Sequence, residues 1–204
     1  MPLIVAHPPK GSLAKLGQAL ESLSLLNMKQ ANWMKLHPPT AATLKRSYAH
    51  PLYHLRVLDL LTGKPFGRSV DRVAWVYPLR DRRKRLGVAE ISIIAGTHRS
   101  VRVTEGPFVQ KLTRSIEKVA RDSRLKGRWE LRAIRIESVH LLALWIKKQH
   151  GESIFVPVNS FSNSLVVGHW YTQKEFIAGL VPEARRIQEA HSRFMQSGVN
   201  KNGD

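Results

Sequence analysis

Sixteen Lys and Arg side chains stand against six Asp and Glu between Arg80 and Arg135. That surplus of ten falls in about a quarter of a 204-residue chain whose whole formal charge is +18. The density peaks twice. Arg80, Arg82, Arg83, Lys84 and Arg85 crowd a segment that reads as an inter-strand loop, and guanidinium forks suit bidentate contact with phosphate better than ammonium groups do. Lys111, Arg114, Lys118 and Arg121 recur at steps of three and four, which at 100° per residue gathers them into one stripe along a helix. Arg124, Lys126 and Arg128 carry that run into the loop beyond. These twelve residues are the candidate binding face. Trp75, Tyr77 and Phe66 lie close enough in sequence to offer faces on which unpaired bases stack; the plainer reading puts those aromatics in the core and leaves the basic loop merely solvated.

A field of this strength draws polyanions over about a Debye length, roughly 8–10 Å at physiological salt. Nucleic acid is the first partner it implies, with RNA ahead of DNA because no helix-turn-helix or zinc module is legible. An acidic protein surface or an anionic membrane answers the same charge.

Other chemistries find less support. There is no cysteine, which removes disulfides, thiolate chemistry and Cys-ligated zinc. His50 and His54 stand four apart, but Pro51 disfavours the helix that would bring both to one face, so no metal and no cofactor are expected. His140 interrupts an apolar run and reads as a neutral core histidine, as does His169 beside Trp170. Ser160, Ser162 and Ser164 share a loop within reach of His169, with Asp59 or Glu137 to orient it, yet no glycine-flanked nucleophile elbow accompanies them. Lys64 follows Gly63 without the spacing of a phosphate-binding loop. The chain therefore reads as a non-enzymatic binding protein, or as an adaptor docking acidic surfaces within a larger assembly. Leu3 to Ala6 is too short for the apolar region of a leader, and no run approaches a membrane span, so the expectation is a soluble, cytoplasmic protein.

The elements that must position these residues follow the apolar pattern. It is densest from Trp129 to Val158, where Val139 to Ile146 reads as a buried strand and Ile154 to Val158 as its hairpin partner, with Gly151 in the turn. Pro157 lacks a ladder donor and predicts a sheet edge there. Upstream, residues 1–11 read as a flexible arm. Ser12 caps a helix carrying Leu13, Leu16, Leu20 and Leu23 on one side, docked on the core or pairing with its own kind, and His37-Pro38-Pro39 closes that unit, an optional appendage over 12–36. A short helix is expected from Thr40 to Tyr48. Strands are expected at Tyr53 to Leu61, along the alternating Val73, Trp75, Tyr77 and Leu79 with a stop at Pro78, at Val88 to Ala95 and at Ser100 to Thr104.

Pro107 opens the most legible helix, with Phe108, Leu112, Ile116 and Val119 as its buried stripe. Leu165 to Val167 suggests a further strand. Thr172 with Glu175 matches a capping box and Tyr171 with Phe176 a hydrophobic staple; Gly179 and Pro182 divide the helix they announce, its second piece reaching Phe194, and disorder is expected from Gln196 to Asp204. The fold class that results is α+β: a single domain over 12–195 with a mostly antiparallel sheet, a packed central helix and terminal helices.

Overall fold

Two antiparallel meanders, joined side by side, make the sheet of the computed structural model, which describes residues 3, 4, 6–25, 48–80, 86–94, 97–105, 107–125, 127–149, 151–160 and 164–199. The first comprises β2 (His50–Leu55), β3 (Val70–Arg80), β4 (Leu86–Ile94) and β5 (Thr97–Glu105). The second comprises β6 (Trp129–Ile136), β7 (Leu141–Lys148), β8 (Ile154–Asn159) and the two-residue β9 (Tyr171–Thr172). They meet where β6 lies parallel to β2, giving the order β5-β4-β3-β2-β6-β7-β8-β9. A parallel neighbour requires a crossover, and helix α2 (Pro107–Ala120) lies within it. The α+β class read from the sequence is the one that forms. Leu3 and Ile4, assigned to a flexible arm, instead form β1 and pair in parallel with Trp129 and Glu130.

Each face of the sheet carries an apolar region covered by helix. On one side α2 packs over β4, β5 and β8, and Val109, Leu112 and Val119 meet Val88, Leu131, Ala133, Leu144 and Val156. Phe108 and Ile116 sit half-buried at the margin of that stripe. The other side carries two separate clusters. Helix α1 (Ser12–Leu25) lays Leu16 and Leu20 on Trp75, Tyr77 and Ile91. Helix α3 (Gln173–Val199) lays Phe176, Leu180 and Ala184 against Ile134, Trp145 and Phe155. Phe155 stacks on Phe176 at 4.4 Å, and Phe66 meets Trp145 edge-on at 5.4 Å.

Several local expectations give way to these contacts. The strand expected over Tyr53 to Leu61 ends at Leu55, and Val57–Leu60 coil into a 3-10 turn. That turn is clamped by Arg56, whose guanidinium bonds Asp59 at 2.9 Å and also pairs with Asp71, while Lys64 reaches Asp59 at 2.9 Å. β3 runs through Pro78 to Arg80, because β2 begins opposite Val76 and leaves Pro78 at an edge with only β4 as a neighbour, a place where strands tolerate proline. A bulge shifts the β2–β3 register between Leu52 and Tyr53, so Val73 packs with the α2-side cluster and leaves the alternating set of Trp75, Tyr77 and Leu79. His140 is exposed rather than a core histidine: it takes φ 47° in the tight turn between β6 and β7, outside the buried strand that follows. Residues 164–170 form turns and no strand, and Leu165 alone of that trio is buried, Val166 and Val167 being exposed.

At Pro157 the far side of β8 is indeed an edge, since β9 pairs only with Ile154 and Phe155. The Pro157 carbonyl there accepts from Gly168 N–H at 2.8 Å. Gly151 holds φ 113° in the β7–β8 turn. The α3 cap forms as read: Thr172 N–H donates to Glu175 Oε2 at 2.8 Å, and Glu175 N–H donates to Thr172 Oγ1 at 3.2 Å. Gly179 and Pro182 do not divide the helix. Pro182 and Ala178, which loses its i+4 donor to the proline, both lie on the exposed side, open to solvent, while Leu180 and Ala184 hold the flanking turns to the core. The helix continues to Val199, past the Gln196 at which the disordered tail was set; residues 200–204 lie outside the described residues, as does the helix expected over Thr40 to Tyr48 up to residue 47.

Candidate polyanion interface

The amphipathic pattern of α2 decides where its charge goes. With Val109, Leu112 and Val119 fixed on the sheet, Lys111, Arg114, Lys118 and Arg121 are all exposed on the outward side. None of the four enters an ion pair among the described residues. At 1.5 Å per residue they span about 15 Å, one cation every 5 Å or so. No large exposed apolar side chain of α2 interrupts them.

Beyond the helix the basic run is used differently. Arg124 grips Asp122 through two bonds, Nε to Oδ1 at 2.9 Å and Nη2 to Oδ2 at 2.7 Å, and its guanidinium lies 4.1 Å over the Trp170 ring. Those bonds, with the field of Lys118, pull the Asp122 carboxyl down to about 2. Arg124 is thus already neutralised, and it drops out of the set free to meet a phosphate. Arg128 is exposed, and its carbonyl accepts from Gln149 N–H at 3.3 Å.

The structure adds a cation that sequence spacing missed. The β6–β7 register sets Lys148 opposite Trp129, with Nζ 5.4 Å over the indole, on the same side of the sheet as α2. Lys147-Lys148 reads only as a polar turn until the strand pairing is known. Trp170, half-buried against the same cluster, was likewise read only as a neighbour of His169.

Arg82, Arg83, Lys84, Arg85 and Lys126 lie outside the described residues, and of Arg80 only the backbone, at the end of β3 opposite Leu86, belongs to them. Two arginines in the basic count are elsewhere and spent. Arg132 lies on the opposite face, paired with Glu130 at 2.5 Å and held between the rings of Tyr53 and Trp145, at 5.0 and 4.7 Å. Arg135 is paired with Glu90.

The aromatic platform does not exist as such. Trp75, Tyr77 and Phe66 are core residues, the first two under α1 and the third against Trp145 and Phe155, so none presents a face to a base. The leucine seam of α1 is also largely used internally: Leu16 and Leu20 are buried, Leu13 is exposed, and the Leu23 side chain lies outside the described ones. As a set these four cannot meet a second helix while α1 stays docked.

The weaker chemical candidates disperse. His50 and His54 lie on a strand, where four residues separate them by roughly 13 Å. Among the described residues no group of three or more His, Asp or Glu is placed to hold a metal ion. Asp59 is bound by Arg56 and Lys64, and His169 meets the Tyr171 ring edge-on at 4.6 Å. Among the described residues no helix is long and apolar enough to cross a membrane.

Comparison with known proteins gives no relative: no protein-family model, no curated protein and no solved structure matches the chain.

Proposed function

We propose that the protein binds nucleic acid without catalysing a reaction, through the outer face of α2, in a cytoplasmic setting. The observation that carries this reading is the line of Lys111, Arg114, Lys118 and Arg121, four exposed cations about 5 Å apart with no ion pair among the described residues. A file of charges at that pitch suits a phosphate backbone, and its arginines add bidentate contacts. Single strands and loops, and so RNA, are favoured over the major groove of duplex DNA. α2 is flat against a sheet eight strands across, roughly 34 Å wide, and that backing keeps the helix out of a groove about 12 Å wide. The absence of large exposed apolar side chains on α2 argues against insertion at a membrane surface. An acidic protein partner answers the same charges and is the second arm of the test.

Binding that neutralises four phosphates of a single strand lowers log K with log salt at a slope of about −2.8, or −0.7 per contact. The triple reversal Lys111→Glu, Arg114→Glu and Lys118→Glu is expected to bring the slope to about −0.7 and to weaken binding alike across unrelated sequences. Its melting temperature stays near that of the parent because all three side chains are outside the core. Titrations with single-stranded RNA, single-stranded DNA, duplex DNA, anionic vesicles and, as the acidic-protein arm, polyglutamate at equal salt rank the partners. No binding to any nucleic acid at about 50 mM salt, or a slope untouched by the triple reversal, refutes the reading.

A further inference from the structure

The α2 side of the sheet changes character along its strands. Beneath the helix it is apolar, as at Leu52, Ala74, Val88 and Ala133. Further along, at the carboxyl ends of the parallel strands β2 and β6, the same side opens into a pocket of about 240 Å³ lined by polar residues and Val73. Its place follows from the topology. β2 continues into β3 on one side and β6 into β7 on the other. Where neighbouring parallel strands send their connections apart, a crevice opens beyond their carboxyl ends, and ligands of open α/β sheets lodge in such crevices.

The pocket's charges are arranged in two tiers. Across its floor Arg135 reaches from β6 to Glu90 on β4, with bonds of 2.6 and 3.2 Å, and both side chains are mostly buried. That pair is internally neutral. His54, the register neighbour of Arg135, and the hydroxyls of Ser92 and Ser100 complete the polar lining between the rims. At the rims stand Arg102 on β5 and Glu137 just past β6, both exposed and neither in an ion pair among the described residues. They are of opposite sign, and four strand spacings separate β5 from β6.

We propose that this pocket binds a small zwitterion whose two charges stand at the ends of a short chain, an ω-amino acid, its carboxylate received by Arg102 with the two serine hydroxyls and its ammonium group by Glu137. A simple anion held by Arg102 makes no use of Glu137, and a simple cation held by Glu137 makes none of Arg102. A ligand carrying one charge of each sign at its two ends satisfies both rims while the Arg135–Glu90 floor stays closed. The volume lies below the range typical of drug-sized ligands, as an amino acid requires. This site stands apart from the α2 stripe and does not rest on nucleic-acid binding.

The full chain is titrated, by calorimetry or NMR shifts, with 4-aminobutyrate and 6-aminohexanoate, and with glycine as a zwitterion whose charges share one carbon, each also as its N-acetyl and its amide form. Saturable binding of at least one free amino acid is expected, weakened roughly threefold or more when either end is capped. Arg102→Ala is expected to erase the difference between free acid and amide while leaving the N-acetyl penalty. Glu137→Gln is expected to do the reverse. Both residues are exposed, so unchanged melting temperatures certify the variants, and Arg102→Gln replaces Arg102→Ala if that variant fails to fold. No saturable binding of any free amino acid at millimolar concentration, equal binding of capped and free forms, or penalties indifferent to both substitutions overturns the proposal. Tighter binding of a mononucleotide, lost on Arg102→Ala, overturns it too.

Discussion

His50 should make this protein lose stability as the pH falls from neutral to 5, and the size of the loss can be worked from its surroundings. Its imidazole is buried near the start of β2. The β6 edge there is served by β1 at Trp129 and Glu130 and by β2 at Ala133 to Arg135. The Leu131 carbonyl, between those pairings, takes its hydrogen bond from His50 instead. Burial disfavours the charged ring more than that bond favours it, and the pKa drops from 6.5 to about 4. The unfolded chain thus takes up a proton below 6.5 that the native one refuses until about 4. Stability contributed by the neutral ring is complete above pH 6.5 and is lost as the pH falls towards 4.

By linkage the fall from pH 7.5 to 5 is about 2 kcal/mol, and roughly 3 kcal/mol has gone once the pH passes below 4. The carboxyls of Asp59, Asp122 and Glu175 are held below their ordinary values by their partners. Their stabilisation has the same sign, but it persists to lower pH and leaves the upper part of the window to His50. Urea unfolding at pH 7.5 and 5 measures the drop directly. His50→Gln keeps an N–H for the Leu131 carbonyl and cannot titrate, so its stability should fall by about 2 kcal/mol less over the same interval. Equal pH dependence in the two proteins would show that His50 is charged or hydrated in the native state, and the reasoning would fail.

Two further substitutions probe the core from opposite directions. Trp145→Ala removes a buried indole that stacks with Phe155 and meets Phe66, Tyr53 and the Arg132 guanidinium; a loss of about 3–5 kcal/mol in urea unfolding is expected, and a melting shift of only a degree or two would contradict the placement of β7. Gly179→Ala should destabilise, although an unhindered helical glycine gains about 1 kcal/mol from that change, because the new Cβ would lie 2.6 Å from a Leu165 methyl; in a Leu165→Ala background the same substitution should turn stabilising, and an unaltered sign would refute the steric account.

What the sequence made legible was whatever one element decides alone. The α2 stripe, the Thr172–Glu175 cap and the alternation of Trp75, Tyr77 and Leu79 depend on local periodicity, which residue spacing records. What escaped depends on pairing between distant strands. The parallel β2–β6 contact joins residues about 80 positions apart, and neither strand carries a mark of which neighbour it will take. The bulge that moves Val73 to the α2 side and the register that sets Lys148 beside Trp129 are both properties of a pair.

The same distinction governs charge. A count along the chain gives Arg114, Arg124, Arg132 and Arg135 equal weight, whereas folding leaves the first exposed, binds the second to Asp122 and the third to Glu130, and sends the fourth across two strands to Glu90. The sixteen cations are therefore an upper bound on what a partner meets, although each pair also takes up an acid and leaves the surplus of ten unchanged. Among the charges that keep no ion pair among the described residues, two groups have an arrangement a ligand can use: a line of like sign on α2, suited to a polymer of repeated anions, and a pair of opposite sign across a pocket, suited to a small molecule with two ends. Each calls for a different ligand, and the helix charge reversals and the two rim substitutions should act on one without disturbing the other.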